Sequence, residues 1–330
     1  MNRIKKFIKQ NYKIFIVYAI ILIVMYIPLP YYIYAPGGIV NMNKRMNIEN
    51  RYKAKGSFNL SYVSEYKGNL LTIIIGLIRK DWDIISNKDI VMDNETIKDY
   101  NNRDRLLLQE SYSNATLVAY KKAHKNIKII NSKVYVQFIF EESKTNLNVG
   151  DQILSVNNIK IDNMNKLNKI IQNYKLGDKI NIEVISGKQK KNKQAKLIKY
   201  NNKTIIGIGV AEINDYKTNP TIKYKYSKDE YGSSGGLMTA LNIYNSITKK
   251  DITKGKTIVG TGTIDQKGNV GEIDGVKYKI KGASKKNIDL FIVPNANLKE
   301  ALKVKKENKY KFDIIGVDTF DEAVKYLKKH

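Results

Sequence analysis

Two short segments carry residue types suited to acyl transfer. The first is Asp229-Glu230-Tyr231-Gly232-Ser233-Ser234-Gly235-Gly236-Leu237-Met238, which opens a stretch where Leu237, Leu241, Tyr244 and Ile247 recur at helical spacing. A serine among glycines at a helix start lets a substrate backbone come close. Free N–H groups of the first turn can hold an oxyanion, and the positive end of the helix dipole favours developing negative charge. The same segment also reads as a plain flexible loop ending in a helix cap. The second segment runs from Val259 to Lys279 as strand, tight turn, short strand, glycine hinge and helix. Lys277 falls in the first helical turn, where the dipole disfavours a cation. That placement favours the neutral amine a general base needs to take a proton from serine. A solvated surface lysine fits the position too.

Composition removes the rivals. The 330-residue chain has no cysteine and two histidines, His124 and His330. Disulfide scaffolds, thiol nucleophiles and cysteine-ligated metals are excluded, and a zinc site of several histidines cannot be assembled. A Ser-His-Asp triad would have to rest on His124 or on the last residue. No metal and no cofactor is expected. The phosphate loop Gly-x4-Gly-Lys-[Ser/Thr] is absent, because Lys250 stands where the glycine preceding Gly255-Lys256-Thr257 belongs. No nucleotide partner is expected. The net charge is +27, from 58 Lys+Arg against 31 Asp+Glu, which would suit nucleic acid or an anionic surface. The excess is nearly all lysine and is spread along the chain, while arginine, the usual bidentate reader of bases and phosphates, is scarce. No nucleic-acid partner is expected; a basic protein of the cell surface remains an alternative.

The elements that position the two segments begin at a membrane signal. Residues 1–13 form a basic tail, Ile14 to Ile27 is unbroken apolar and aromatic sequence, and no charge follows until Lys44. A helix from Tyr12 to Pro30 would be roughly 28 Å long at about 1.5 Å per residue, enough to cross the hydrocarbon core. A single-pass anchor is expected over 14–35, with the tail cytoplasmic, residues 36–330 outside the cell membrane, and Tyr26, Tyr31, Tyr32 and Tyr34 as an aromatic belt. The competing reading is a cleaved signal peptide, but its best site, Ile33-Tyr34-Ala35, has a bulky residue where a small one is wanted. Pro36-Gly37-Gly38 reads as a closing turn. Residues 36–125 read as a strand from Ser57, an apolar stretch from Leu70 to Ile78 and a helix over 96–125, a segment expected to pack on the C-terminal domain.

Residues 126–200 have another texture. A strand at Val134–Phe140 precedes Leu147-x-Val149-Gly150-Asp151-x-Ile153-Leu154-x-Val156, an amphipathic helix from Met164 to Tyr174, Gly177-Asp178-Lys179-Ile180 and two last strands. This order resembles a PDZ domain of the bacterial protease-associated type. Such domains add an extended peptide to a sheet edge. The resemblance implies a groove with Val134, Tyr135 and Val136 on one side and Leu167 and Ile171 facing them. As single side chains, all five also read as plain core. Residues 204–330 alternate helices and strands, an α+β or α/β pattern with one mixed sheet expected.

The two chemical segments together resemble the proteolytic domain of the Lon family, with a ribosomal S5 domain 2-like fold. Its signature is a serine in Gly-Pro-Ser-Ala-Gly and a lysine in a Gly-Gly-Leu-Lys-x-Lys helix start. The resemblance puts the nucleophile at Ser234 and the base at Lys277, with Gly232, Ser233 and Gly235 around the oxyanion and Thr261 beside the pair. Lys279, two residues on, lies on another helical face, and Ser233 would point elsewhere from a tight turn. Ser233, Gly235, Glu272 and Asp274 depart from the family's proline, alanine, proline and glycine, and a carboxylate at Asp274 would hold a nearby lysine charged. With Pro30-Tyr31-Tyr32, Pro36-Gly37 and Gln109–Ala115, the layout resembles the membrane-anchored, PDZ-containing Lon-like serine proteases. That implies ATP-independent cleavage of peptide or flexible protein substrate, a PDZ domain that recruits or gates it, and a possible homo-oligomer, a hexamer. The alternative is an inactive, tethered PDZ scaffold.

Overall fold

A computed structural model describes residues 2–92, 94–225, 227 and 229–330. Helix α1 (Asn2–Tyr26) contains the apolar stretch Lys6–Tyr26, long enough to cross a membrane and exposed along its length. The helix stops there because Pro28 and Pro30 follow, and proline cannot continue it. Strand β1 (Pro28–Asn41) starts one residue later. It pairs antiparallel with β2 (Ser57–Asn69), Pro28 opposite Asn69 and Asn41 opposite Asn59. Helix α2 (Leu70–Ile78) begins on a capping box between Asn69 and Thr72, and β3 (Asp83–Ser86) lies along the other side of β1. Tyr32, Ile33 and Ala35 are therefore buried sheet residues. Tyr34 packs edge-on against Tyr278. Only Tyr26 and Tyr31 of the expected belt are exposed. Pro36-Gly37-Gly38 forms a bulge inside β1 rather than a turn, the register slipping between Pro36 and Ile39.

Helix α3 (Ile97–Lys122) has a Thr96–Asp99 capping box and lysines in its last turn. Its stretch Ser111–Tyr120 is buried on every side, so this helix runs through the molecule and has to find partners for its own polar groups.

Strands β4 (Asn126–Ile139) and β5 (Gln152–Val156), helix α4 (Met164–Ile171), and strands β6 (Lys179–Ser186), β7 (Gln189–Lys196) and β8 (Ile208–Asn219) build the middle of the chain. The sheet order is β8-β4-β5-β6-β7, completed by the short strands Lys144–Thr145 and Ile159–Lys160. Val134, Val136, Ile153, Leu167, Ile171, Ile182 and Val184 close one apolar core between sheet and helix. Strand β8 lies beyond the expected boundary at residue 200, yet it pairs with β4 from Ile208↔Ile139 to Asn219↔Asn126.

The last part comprises α5 (Gly236–Ile247), β9 (Thr257–Gly260), the small hairpin β10 (Thr263–Ile264) and β11 (Val270–Gly271), α6 (Val276–Ala283), β12 (Leu290–Pro294), α7 (Asn295–Glu307), β13 (Asp313–Val317) and α8 (Phe320–Lys329). Its sheet is mixed, as expected, with the order β13-β12-β9-β2-β1-β3. The first three pairings are parallel and the last two antiparallel. Strands β1 and β2 thus belong to this sheet rather than forming a layer on it. On one face Phe58, Ile258 and Ile292 meet α3, α5 and α8 through Tyr112, Leu241 and Phe320. On the other, Val259 and Phe291 meet α6 and α7 through Ile280 and Val304.

Candidate active site

The loop around Ser234 is held through Gly232 N–H and the carbonyls of Ser233 and Ser234. Gly232 takes φ +80°, a conformation that favours glycine, and its N–H donates to Asp104 O at 3.0 Å. The hydroxyl of Ser111, on α3, donates to Ser233 O at 3.0 Å. The Ser234 carbonyl accepts from Gly262 N–H at 2.8 Å and from Thr261 Oγ1 at 3.1 Å. A side chain at Gly236 would strike Ser111 Oγ and Ile264, and one at Gly235 would press on the end of the Leu60 side chain, so α5 packs closely on α3 and β2. No hydrogen bond ties Ser234 Oγ to another of the described residues. Among them, the N–H groups of Ser233, Ser234 and Gly235 likewise have no acceptor, while that of Gly232 is committed to Asp104. The Gly235 cap makes no side-chain hydrogen bond. The loop thus keeps a free hydroxyl beside free amides at the positive end of a helix.

The structure separates the two lysines of α6. Residues two apart on a helix point about 200° apart. Val276, Lys279, Ile280 and Ala283 face the sheet, which leaves Lys277 outside. Its side chain is 46% exposed, pairs with the Asp83 carboxylate and lies over the Tyr278 ring. Tyr278 donates to the same Asp83 carboxylate. Lys279 is 4% exposed. Its Nζ donates to Thr261 Oγ1 at 3.2 Å, and its carbonyl accepts from the buried Ser61 hydroxyl at 2.6 Å. Burial pulls its ammonium down to about 8, against the opposing charge of exposed Asp274. Thr261 Oγ1 therefore accepts from Lys279 while donating to the Ser234 carbonyl, a single hydroxyl joining the two segments. Of the two lysines, the structure brings Lys279 to Thr261 and holds Lys277, the one expected there, at Asp83. The deciding signal, a lysine between Tyr278 and Ile280 on the buried stripe, was in the sequence. Reading the helix from its first turn rather than from its apolar face missed it.

The residues expected to line a peptide groove are placed differently. Val134, Val136, Leu167 and Ile171 are buried in the core, and Tyr135 packs on the other face with Leu106, Ala211 and Ile213. Residues 134 and 135 are paired on both sides, with β8 at Glu212 and Ala211 and with β5 at Ile153 and Gln152. No added strand can enter there. The sheet's margin is β8, and α3 covers part of it: Glu212 N–H donates to Glu110 Oε1 at 3.3 Å, and Asn214 N–H donates to Ser113 Oγ at 3.0 Å. Among the described residues no group of three or more acidic or histidine side chains gathers around a possible metal position.

Residues 226–329 match the model of the Lon protease (S16) C-terminal proteolytic domain, and residues 93–197 match the PDZ domain. The chain carries a Lon-type proteolytic domain and a PDZ domain. Lon protease of the Aster yellows witches'-broom phytoplasma is 33% identical over 92 residues, 28% of this chain and 11% of that protein. Lon protease of Mesomycoplasma hyopneumoniae is 32% identical over 98 residues, 30% of this chain and 11% of that protein. The chain therefore spans about a tenth of the length of these curated relatives. Among solved structures, a PDZ domain of an SdrC-like protein from Listeria monocytogenes is 21% identical, covering 25% of this chain and 92% of that one, with a TM-score of 0.23. The Lon match supports a serine protease. It includes α5 and α6 but leaves out β1 and β2, and the PDZ match stops short of β8.

Proposed function

We propose that the chain is an ATP-independent serine endopeptidase anchored by α1, with Ser234 as nucleophile and Lys279 as general base. The observation that carries this reading is the buried Lys279 ammonium hydrogen-bonded to Thr261, whose hydroxyl also holds the Ser234 carbonyl. Ser234 Oγ attacks the scissile carbonyl as its proton passes to the neutral Lys279 amine. The N–H groups of Ser234 and Gly235 receive the oxyanion. Collapse breaks the C–N bond, and Lys279 returns the proton to the departing amine. Water then repeats the sequence on the acyl-serine. Catalytic hydrogen bonds are often long in a free enzyme and tighten around substrate, which agrees with a Ser234 hydroxyl still free of Lys279.

A retained anchor is supported by the sheet. Cleavage after Ala35 would remove the first half of β1, including buried Ile33 and Tyr32. Burial of one such side chain is worth about 2 kcal/mol, and the strand pairing would go with it. The basic tail supports a topology with the N-terminus of α1 in the cytoplasm and the catalytic domain outside. For the PDZ domain, the β8 margin near Ile208–Ala211, beside α4, is the edge that could receive substrate as an added strand.

The test is cleavage of casein without ATP by the full chain in vesicles, beside Ser234→Ala, Lys279→Ala and Lys277→Ala. Loss in the first two and retention in the third is expected. Retention in Lys279→Ala with loss in Lys277→Ala would reverse the assignment. An intact, inactive parent whose Ser234 resists a serine-directed electrophile would leave a peptide-binding scaffold instead.

A further inference from the structure

Helix α2 presents an apolar face to the outside of the molecule. Its nine residues, Leu70 to Ile78, include no charge. Gly76 lets it sit closely on Ile33 and Ile84, and that inner contact leaves Leu70, Ile74, Leu77 and Ile78 along one outward stripe at helical spacing. Leu77 and Ile78 are 75% and 74% exposed. The surroundings say what covers them. Asn69, the cap of α2, pairs with Pro28, two residues beyond the end of α1, and α2 packs against α1. A nine-residue helix is about 14 Å long, so the whole stripe lies within that distance of the point where α1 leaves the bilayer. Arg79 and Lys80 follow directly, and Trp82 stacks on Tyr66 with ring centroids 5.5 Å apart. Basic residues and stacked aromatics beside an apolar stripe are the chemistry of the headgroup boundary.

We infer that α2 is a second membrane contact, its Leu70–Ile74–Leu77–Ile78 stripe seated in the headgroup–acyl boundary of the bilayer that α1 spans. This rests on the reading of α1 as an anchor. The contact fixes how the sheet stands on the membrane: a single helix leaves a domain free to swivel about one point, and a second contact beside it removes that freedom.

Trp82 is the only tryptophan and the chain has no cysteine, so both probes are clean. The full chain is reconstituted in phosphatidylcholine–phosphatidylglycerol vesicles with or without brominated acyl chains. Trp82 emission is expected to be blue-shifted and strongly quenched by bromine. Leu77→Asp with Ile78→Asp should abolish the quenching while the chain stays resistant to alkaline carbonate and cleaves casein as before. A dye on Leu77→Cys should report an apolar site only when vesicles are present. If carbonate extracts the parent, the anchor fails and the inference with it. If the parent stays integrated but Trp82 is unquenched, the inference alone is overturned. Cross-linking of Leu77→Cys between copies, with Trp82 unquenched, would give the stripe to a second copy of the chain.

Discussion

The nucleophile loop and the PDZ sheet were both read from short motifs, and they behaved differently. In the loop, the expected residues sit together: Gly235 and Gly236 lie close on β2 and α3, Ser234 keeps a free hydroxyl, and Thr261 joins the two segments. In the PDZ domain the expected edge strand is an interior one, because a segment some seventy residues later in the chain pairs along its whole length. A chemical motif is decided by contacts a few residues wide. A sheet edge is decided by whether any other part of the chain arrives to pair with it.

The sharpest break of that comparison would come at the dyad. Ser234→Ala and Lys279→Met should each lower kcat/KM by at least ~10³-fold, whereas Lys277→Ala, which removes only an exposed pair with Asp83, should stay within a few-fold. Peptide cleavage by the purified variants decides this. Next comes pH. Only neutral Lys279 can take the serine proton, so kcat/KM should rise through about pH 8 and level off above it. A flat profile across that range would exclude Lys279 as base. Stability carries the matching sign. With its folded value lowered to about 8, Lys279 binds fewer protons than in the unfolded chain between that pH and the ordinary lysine range. It therefore costs stability at pH 7, and that cost fades as pH rises. Lys279→Met should raise the melting temperature at pH 7 while abolishing activity, an outcome a structural lysine would not give.

Smaller effects are expected further out. Thr261→Val should lower kcat roughly tenfold. It should also move the rising limb of the pH profile downward, because the hydroxyl accepts from the charged amine and so favours that form. Thr261→Ser should restore both. Smallest of all, Ser113→Ala removes one partner of the Asn214 backbone on the β8 margin. It should destabilise by about 1 kcal/mol in chemical unfolding, with casein turnover nearly unchanged.

Most of the fold was legible where local chemistry dictates it. The Thr96–Asp99 box, the apolar spacing of α5, and the glycine hinge before α6 each mark their element without help from the rest of the chain. The site was half legible. Ser234 and Thr261 stand in loops whose glycines announce close packing. The helix dipole points to Lys277, whereas burial, which shows only once the helix is packed, acts on Lys279. Residues 28–35 looked like the outer end of a span because they carry no charge, yet a buried sheet strand has the same composition. What separates them is Pro28 and Pro30, which the helix cannot accommodate.

Only Ile27 separates α1 from β1. A flexible linker of about twenty residues would let a tethered domain roam some 25 Å; this one has almost no leash. On the proposed topology, the Ser234 loop hangs at one altitude above the lipid. Selection then acts like a ruler laid against the membrane: a client is cut where a pliable segment crosses that height, whatever the rest of it looks like. Glycine–serine residues inserted after Ile27 would raise the blade and move the cut along the same client.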